Sequence, residues 1–260
     1  MKNPTYTIVI GAVLTVFRVF NWKVRITGWE HLPVTGGGVV AANHIGYLDF
    51  VFVGYGARSQ KGKRRLRFMA KREVFDHKIS GPLMRAMGHI AVDRAGNTRA
   101  ALREADEALR AGDLVGMFPE GTVSRSFMPL AGRPGAVRMA MDAGVPLIPA
   151  AVWGTQRIFT KGRKPTPTRG AVVDVRYGAP IEYTADSDPL EVHERLMTAI
   201  RAMVDDLQRA YPQSPRGPED TWWLPAHLGG TAPTVEEAVA AAKADSARRR
   251  EQRREQHRES

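Results

Sequence analysis

Short apolar runs and stretches of helical spacing take turns along residues 24–207. The runs at 39–42, 114–118, 147–153 and 172–177 are bounded by Gly, Pro, Asn or Asp and are too short for helices, which predicts buried strands. Residues 67–71 and 89–92 read as two shorter strands. Residues 97–111 place Leu102, Ala105 and Leu109 on one helical face, with Gly112 as the stop. Residues 136–143 form a second helix before Gly144. Residues 189–207 form a long third one, with Val192, Leu196, Ile200, Met203, Val204 and Leu207 inward. Strands alternating with helices predict an α/β fold, a largely parallel sheet covered by helices on both faces. In such sheets ligands bind beyond the carboxyl ends of the strands.

The two ends of the chain depart from this pattern. Residues 6–17 are almost wholly apolar, followed by Val19, Phe20 and Trp22, with Arg18 and Lys23 among them. A run of this length falls short of the roughly 20 residues that span a bilayer. No small-x-small cleavage site follows, so residues 1–23 are expected as an apolar helix lying in a membrane interface. The central body is expected over 24–211. Residues 212–233, rich in Pro and Gly around Trp222 and Trp223, are expected as a linker. Thr234 and Glu237 form a capping box that opens a charged helical tail over 234–260, expected as a solvated helix.

Composition narrows the functions. At 260 residues the chain holds one substantial core plus appendages. With no cysteine, disulfides, thiolate nucleophiles and zinc–cysteine sites are excluded, and no paired histidine spacing suggests another metal site. A net charge of +11 calls for an anionic partner. Residues 58–72 carry eight cations and no acid, yet only Phe68 is aromatic among them. Without stacking platforms, nucleic acid is not the expected partner.

The candidate chemistry lies just past the strand at 39–42, in Asn43-His44-Ile45-Gly46-Tyr47-Leu48-Asp49. Residues five apart on a helix are turned by about 140° and do not face each other. On a strand they point to opposite faces. His44 and Asp49 therefore meet only if the chain turns between them, with Asp49 on the following element. In that geometry the carboxylate holds one imidazole nitrogen and the other acts as a general base. The plain alternative is a histidine capping a helix. His89 and Asp93 also neighbour each other, but four apart on a strand they stand about 13 Å from each other and form no dyad.

A second polar cluster, Phe118-Pro119-Glu120-Gly121-Thr122-Val123-Ser124-Arg125, directly follows a buried strand. Pro119 ends that strand, and Gly121 allows close backbone approach. His44 with Asp49 (an HX4D motif), residues 88–94, residues 118–125 and residues 145–149 occur in the order of four motifs. Together they resemble the glycerolipid acyltransferase family that includes 1-acylglycerol-3-phosphate acyltransferases, over roughly residues 24–182; the tail resembles actinobacterial members more loosely. The resemblance implies that His44 deprotonates an acceptor hydroxyl, with Asp49 holding it, and that no acyl-enzyme forms. It implies acceptor and phosphate binding by Lys71, Arg94, Glu120, Gly121 and Thr122, and an acyl side lined by Val145, Pro146, Leu147, Ile148 and Pro149. Its third motif usually carries arginine where this chain has Val123, which leaves Arg125 or Arg133 to supply the contact.

These expectations define an acyltransferase working on the cytoplasmic face of the cell membrane, peripheral or monotopic, without a cofactor. Acyl-CoA or an acyl carrier protein brings the acyl group, lysophosphatidate receives it, and an anionic membrane surface holds the protein. Three other readings stay open at this point. They are a different headgroup acceptor, a thioester hydrolase in which His44 activates water, and a membrane- or anion-binding protein without catalysis.

Overall fold

The computed structural model describes residues 4–60, 63–78, 80–93 and 98–259. Seven strands make one sheet in the order β1-β7-β6-β2-β5-β3-β4. They are β1 (Lys23–Thr27), β2 (Gly38–Ala42), β3 (Leu66–Lys71), β4 (Ile90–Val92), β5 (Leu114–Met117), β6 (Leu147–Trp153) and β7 (Val172–Tyr177). Every pairing is parallel except β6 with β7. β2 sits mid-sheet, with Val39 opposite both Val115 and Leu147. All five of its residues are buried, as a strand covered on both faces requires.

The helices are α1 (Pro4–Val19), α2 (Asp49–Ala57), α3 (Arg72–Asp76), α4 (Ser80–Ala86), α5 (Thr98–Arg110), α6 (Gly135–Ala143), α7 (Pro189–Arg209) and α8 (Val235–Glu259). Strand alternation divides the core in two. Val39 and Ala41 pack with residues of α5, α6 and α7, such as Ala105, Val137 and Leu196. Val40 and Ala42 pack with Phe17 of α1 and Phe52 of α2. Gly144 ends α6 at φ 60°, the left-handed cap that its position after the apolar stripe predicts.

Several expectations are corrected. Leu102 is 46% exposed, and the buried face of α5 is Ala101, Ala105, Ala108 and Leu109. Leu102 lies one residue off that stripe and turns toward a cleft instead. The stretch 212–233 is packed on the body: Trp223 is 0% exposed, with the Arg157 guanidinium 4.4 Å over its ring. Trp222 carries Arg163 at 4.0 Å. Pro and Gly content predicted a linker because composition does not show which surface an indole can cover. The tail helix opens with the expected reciprocal bonds between Thr234 and Glu237, yet Ala238 is buried against the body.

Much of the basic stretch is structural. Arg64 donates to the carbonyls of Pro33, Gly36 and Gly112, Arg65 to that of Met87, and Arg67 to that of Gly88. These guanidiniums supply hydrogen-bond donors to loop carbonyls and tie separate loops together. Among the described residues, no helix is long and apolar enough to cross a membrane.

Candidate active site

β2 leaves the sheet at Asn43, whose side chain continues the pairing that the main chain abandons. Its Nδ2 donates to the Val152 carbonyl at 3.0 Å and its Oδ1 accepts from the Val152 N–H at 2.8 Å. The next residue, His44, enters a bend that ends where Asp49 begins α2. The predicted turn brings the pair together: His44 Nδ1 lies 2.9 Å from Asp49 Oδ2. Asp49 is 0% exposed, and its Oδ2 also accepts the N–H groups of Ile45 at 2.7 Å and Gly46 at 2.9 Å. Oδ1 accepts the Thr155 hydroxyl. With Nδ1 donating to this fixed carboxylate, the lone pair of His44 is on Nε2, which has no partner among the described residues and belongs to a ring lining the cleft.

The backbone of His44 is locked on both sides. Its N–H donates to Glu120 Oε1 at 2.7 Å, and its carbonyl accepts the Ser124 N–H at 2.7 Å. Its ring stacks on Phe118 at 4.1 Å between centroids, and Phe118 stacks on Phe68 at 5.1 Å. Glu120 Oε2 accepts the Leu130 N–H at 2.9 Å. Both Glu120 oxygens are thus engaged by backbone, so the side chain braces the His44 loop rather than presenting a free carboxylate to an acceptor. Burial pushes the Glu120 carboxyl up to about 8, against the opposing pull of those two N–H donors. Gly121 turns the loop at φ 65°, a left-handed angle that favours glycine.

These groups open onto a cleft of about 2210 Å³. Small-molecule pockets occupy roughly 300–1,000 Å³, so this one has room for two substrates, one with a long chain. Its apolar side comes from α1, α2 and α4, including Val13, Val51 and Leu83. Its polar side holds His44, Lys71, Glu120, Gly121, Thr122 and Arg133. Lys71 stands at the end of β3, as predicted, and Val123 is buried in the cleft wall. Arg125 does not itself line the cleft but bonds, at 3.4 Å, to Asp245 of α8, which does. Arg94 lies outside the described residues.

Val145, Pro146, Leu147, Ile148 and Pro149 do not line the cleft. Leu147, Ile148 and Pro149 are buried in the first half of β6, and Val145 and Pro146 precede it. The cleft opens at the other end of that strand. At about 3.3 Å per residue, seven residues separate the two ends by about 20 Å. Sequence reasoning missed Asn43, Thr155 and Lys161. Thr155 and Lys161 follow the carboxyl end of β6, so the strand-end rule could have found them.

A parallel-sheet core whose central strand ends in a braced His–Asp pair, above a cleft of this size, is an α/β fold with a candidate general-base site at its carboxyl edge. Residues 23–153, half of the chain, match the family described as Acyltransferase, and the chain belongs to that family. The 1-acyl-sn-glycerol-3-phosphate acyltransferase of Bacillus subtilis is 30% identical over 193 residues, 73% of this chain and 89% of the relative. A protein of the same name from Limnanthes douglasii is 30% identical over 192 residues, 70% of this chain and 63% of the relative. The crystal structure of PlsC, the 1-acyl-sn-glycerophosphate (LPA) acyltransferase of Thermotoga maritima, matches with a TM-score of 0.61 and 25% identity, covering 76% of this chain and 78% of that one. The chain is an O-acyltransferase of lipid metabolism.

Proposed function

We propose that the chain transfers a fatty acyl group from a thioester, on coenzyme A or an acyl carrier protein, to the free hydroxyl of 1-acylglycerol 3-phosphate, giving phosphatidate for phospholipid synthesis. The observation that carries this reading is the 2.9 Å His44–Asp49 contact at the cleft, with Nε2 unpartnered among the described residues. Nε2 takes the proton of the acceptor hydroxyl as its oxygen attacks the thioester carbon. Asp49 steadies the imidazolium. The tetrahedral intermediate collapses, the C–S bond breaks, and the departing sulfur receives the proton from Nε2. No covalent enzyme intermediate and no cofactor are needed. The N–H groups of Thr122 and Val123 donate to no described acceptor and belong to the loop bracketing His44, which suits them to the oxyanion.

Lys71 and Arg133 at the cleft wall add positive charge that draws a phosphate-bearing acceptor into the cleft, and Arg94 belongs to the same set by its place in the sequence. The exposed apolar side chains of α1, Ile8, Leu14, Val16 and Val19, suit a peripheral stay on the cytoplasmic face of an anionic membrane. A different headgroup acceptor is favoured by one observation, the buried Val123, which offers no side-chain donor to an anion.

Thiol release from a long-chain acyl-CoA, with and without lysophosphatidate, tests the reading, with phosphatidate identified by mass spectrometry. Release that depends on the acceptor and is lost in His44→Ala is the expected result. Release without an acceptor would make the protein a hydrolase. Release with another lysolipid alone would move the acceptor assignment and keep the chemistry.

A further inference from the structure

Lys161, eight residues past the end of β6, is nearly enclosed at the cleft wall. Its ammonium donates to the Thr122 hydroxyl at 3.2 Å and lies 2.8 Å from Asp245 Oδ2. Arg125 Nη2 reaches the same carboxylate oxygen at 3.4 Å. Oδ1 is held by Arg248, one turn further along α8. Asp245 is only 13% exposed, although it sits on a helix whose sequence reads as solvated. Ala238, Ala242 and Asp245 are spaced four and three apart, so they share one helix face. The small side chains let that face lie against the body, and the carboxylate then meets the cations.

Three cations on one carboxylate leave an excess of positive charge at this spot. The Nε of Arg125, itself enclosed, donates to nothing among the described residues. Lys161 and Arg248 hold the Asp245 carboxyl down at about 2, so it stays charged across the physiological range. Thr122 and Lys161 line the same cleft as His44, and Thr122 precedes the valine that donates nothing. A cationic, hydroxyl-bearing pocket on the substrate wall is therefore filled by the chain's own anion.

We propose that Lys161, the Thr122 hydroxyl and Arg125 form the subsite for the phosphate monoester of the acceptor, and that Asp245 fills it as a displaceable internal counterion. This rests on the phosphate-bearing acceptor proposed above. A phosphate monoester brings three terminal oxygens and up to two charges, so it can engage Lys161 and Arg125 together more fully than one carboxylate does. Asp245, once displaced, keeps its partner Arg248 on the same helix and is not left unpaired. The tail helix thus competes with the acceptor for one set of cations. A latch closed about nine-tenths of the time would weaken apparent affinity about tenfold.

Titration calorimetry of the full chain with glycerol 3-phosphate, and separately with inorganic phosphate, tests this without acyl transfer. Asp245→Asn is expected to bind glycerol 3-phosphate about tenfold tighter than wild type, Lys161→Met to lose binding, and Lys161→Arg to keep it. In wild type, glycerol 3-phosphate should also speed amide exchange over residues 235–248 as α8 loosens. Unchanged or weaker binding by Asp245→Asn, or binding unaffected in a folded Lys161→Met, would overturn the proposal. If these binding results hold but lysophosphatidate is not acylated, the subsite stands and the acceptor assignment fails.

Discussion

Asp49 collects four donors on one buried carboxylate, and only one of them is the ring it serves. The others, two backbone N–H groups and the Thr155 hydroxyl, fix the carboxylate before any substrate arrives. Thr155→Val keeps the volume and removes one donor. A hydrogen bond to a charged group contributes roughly 1.5–3 kcal/mol, so kcat should fall at least tenfold and Tm should drop measurably. Steady-state kinetics with thermal denaturation check both. His89 presents a different case: its Nδ1 accepts the Phe68 N–H at 2.9 Å, and burial, then Arg65 and Arg67, push its pKa down from 6.5 to about 4. Below pH 6.5 the unfolded chain takes a proton that the folded one refuses until about pH 4. Stability is full above that window and falls by on the order of 3 kcal/mol across it. His89→Gln, which keeps an acceptor, should flatten this acid limb in urea denaturation. Glu120 has the opposite sign, since its folded pKa is raised: its contribution is present below about 4.5 and is lost as pH rises through about 8.

At the scale of elements, β5 does more than complete the sheet. The Phe68 ring lies over Gly116, so close that an added Cβ would come within 2.7 Å of it. Phe68 supports Phe118, and Phe118 supports the His44 ring. Gly116→Ala should push this stack toward the cleft and lower kcat/KM by tenfold or more, a larger effect than its loss in Tm. Equal losses in both would reduce the stack to ordinary core packing. The segment after β6 works on the same target from the other side. Tyr47 N–H bonds the Phe159 carbonyl at 2.9 Å, and Thr160 Oγ1 bonds that of Ile45 at 2.7 Å. The His44 bend is thus held between loops that follow β5 and β6, the two strands flanking β2.

Across the whole molecule, both ends of the chain contribute walls to the cleft. α1 supplies apolar side chains and α8 supplies Asp245. For the lipid acceptor proposed above, α1, with Ile8 and Val19 exposed and Ile8 lining the cleft, would be the side that meets a bilayer. Binding to vesicles of anionic phospholipid should weaken in an Ile8→Glu, Val19→Glu double variant and in high salt, as flotation assays would measure. Equal binding by the variant would remove α1 from membrane contact. Trp223→Ala should cost about 3–5 kcal/mol, because a fully buried indole under Arg157 leaves a large cavity.

The period of the apolar positions determined the alternating strands and helices, and the spacing of His44 and Asp49 determined that a turn must join them. Both are local facts, set by backbone geometry over a few residues. Lys71, at a strand end, was legible for the same reason. The roles of Thr155, Lys161 and Asp245 depend on partners between 39 and 106 residues away, and no local pattern encodes such a distance. Residues 145–149 show the converse: the strand was legible and its open end was not, because pattern gives the element and only packing gives the end that opens. Trp223 and the tail helix were read as linker and solvent-facing charge because burial is decided by what an apolar face meets. The sequence by itself determined that His44 and Asp49 meet across the first turn. Tertiary structure decided which distant groups hold that turn in place, since hydrogen bonds and ion pairs are made across space and not along the chain.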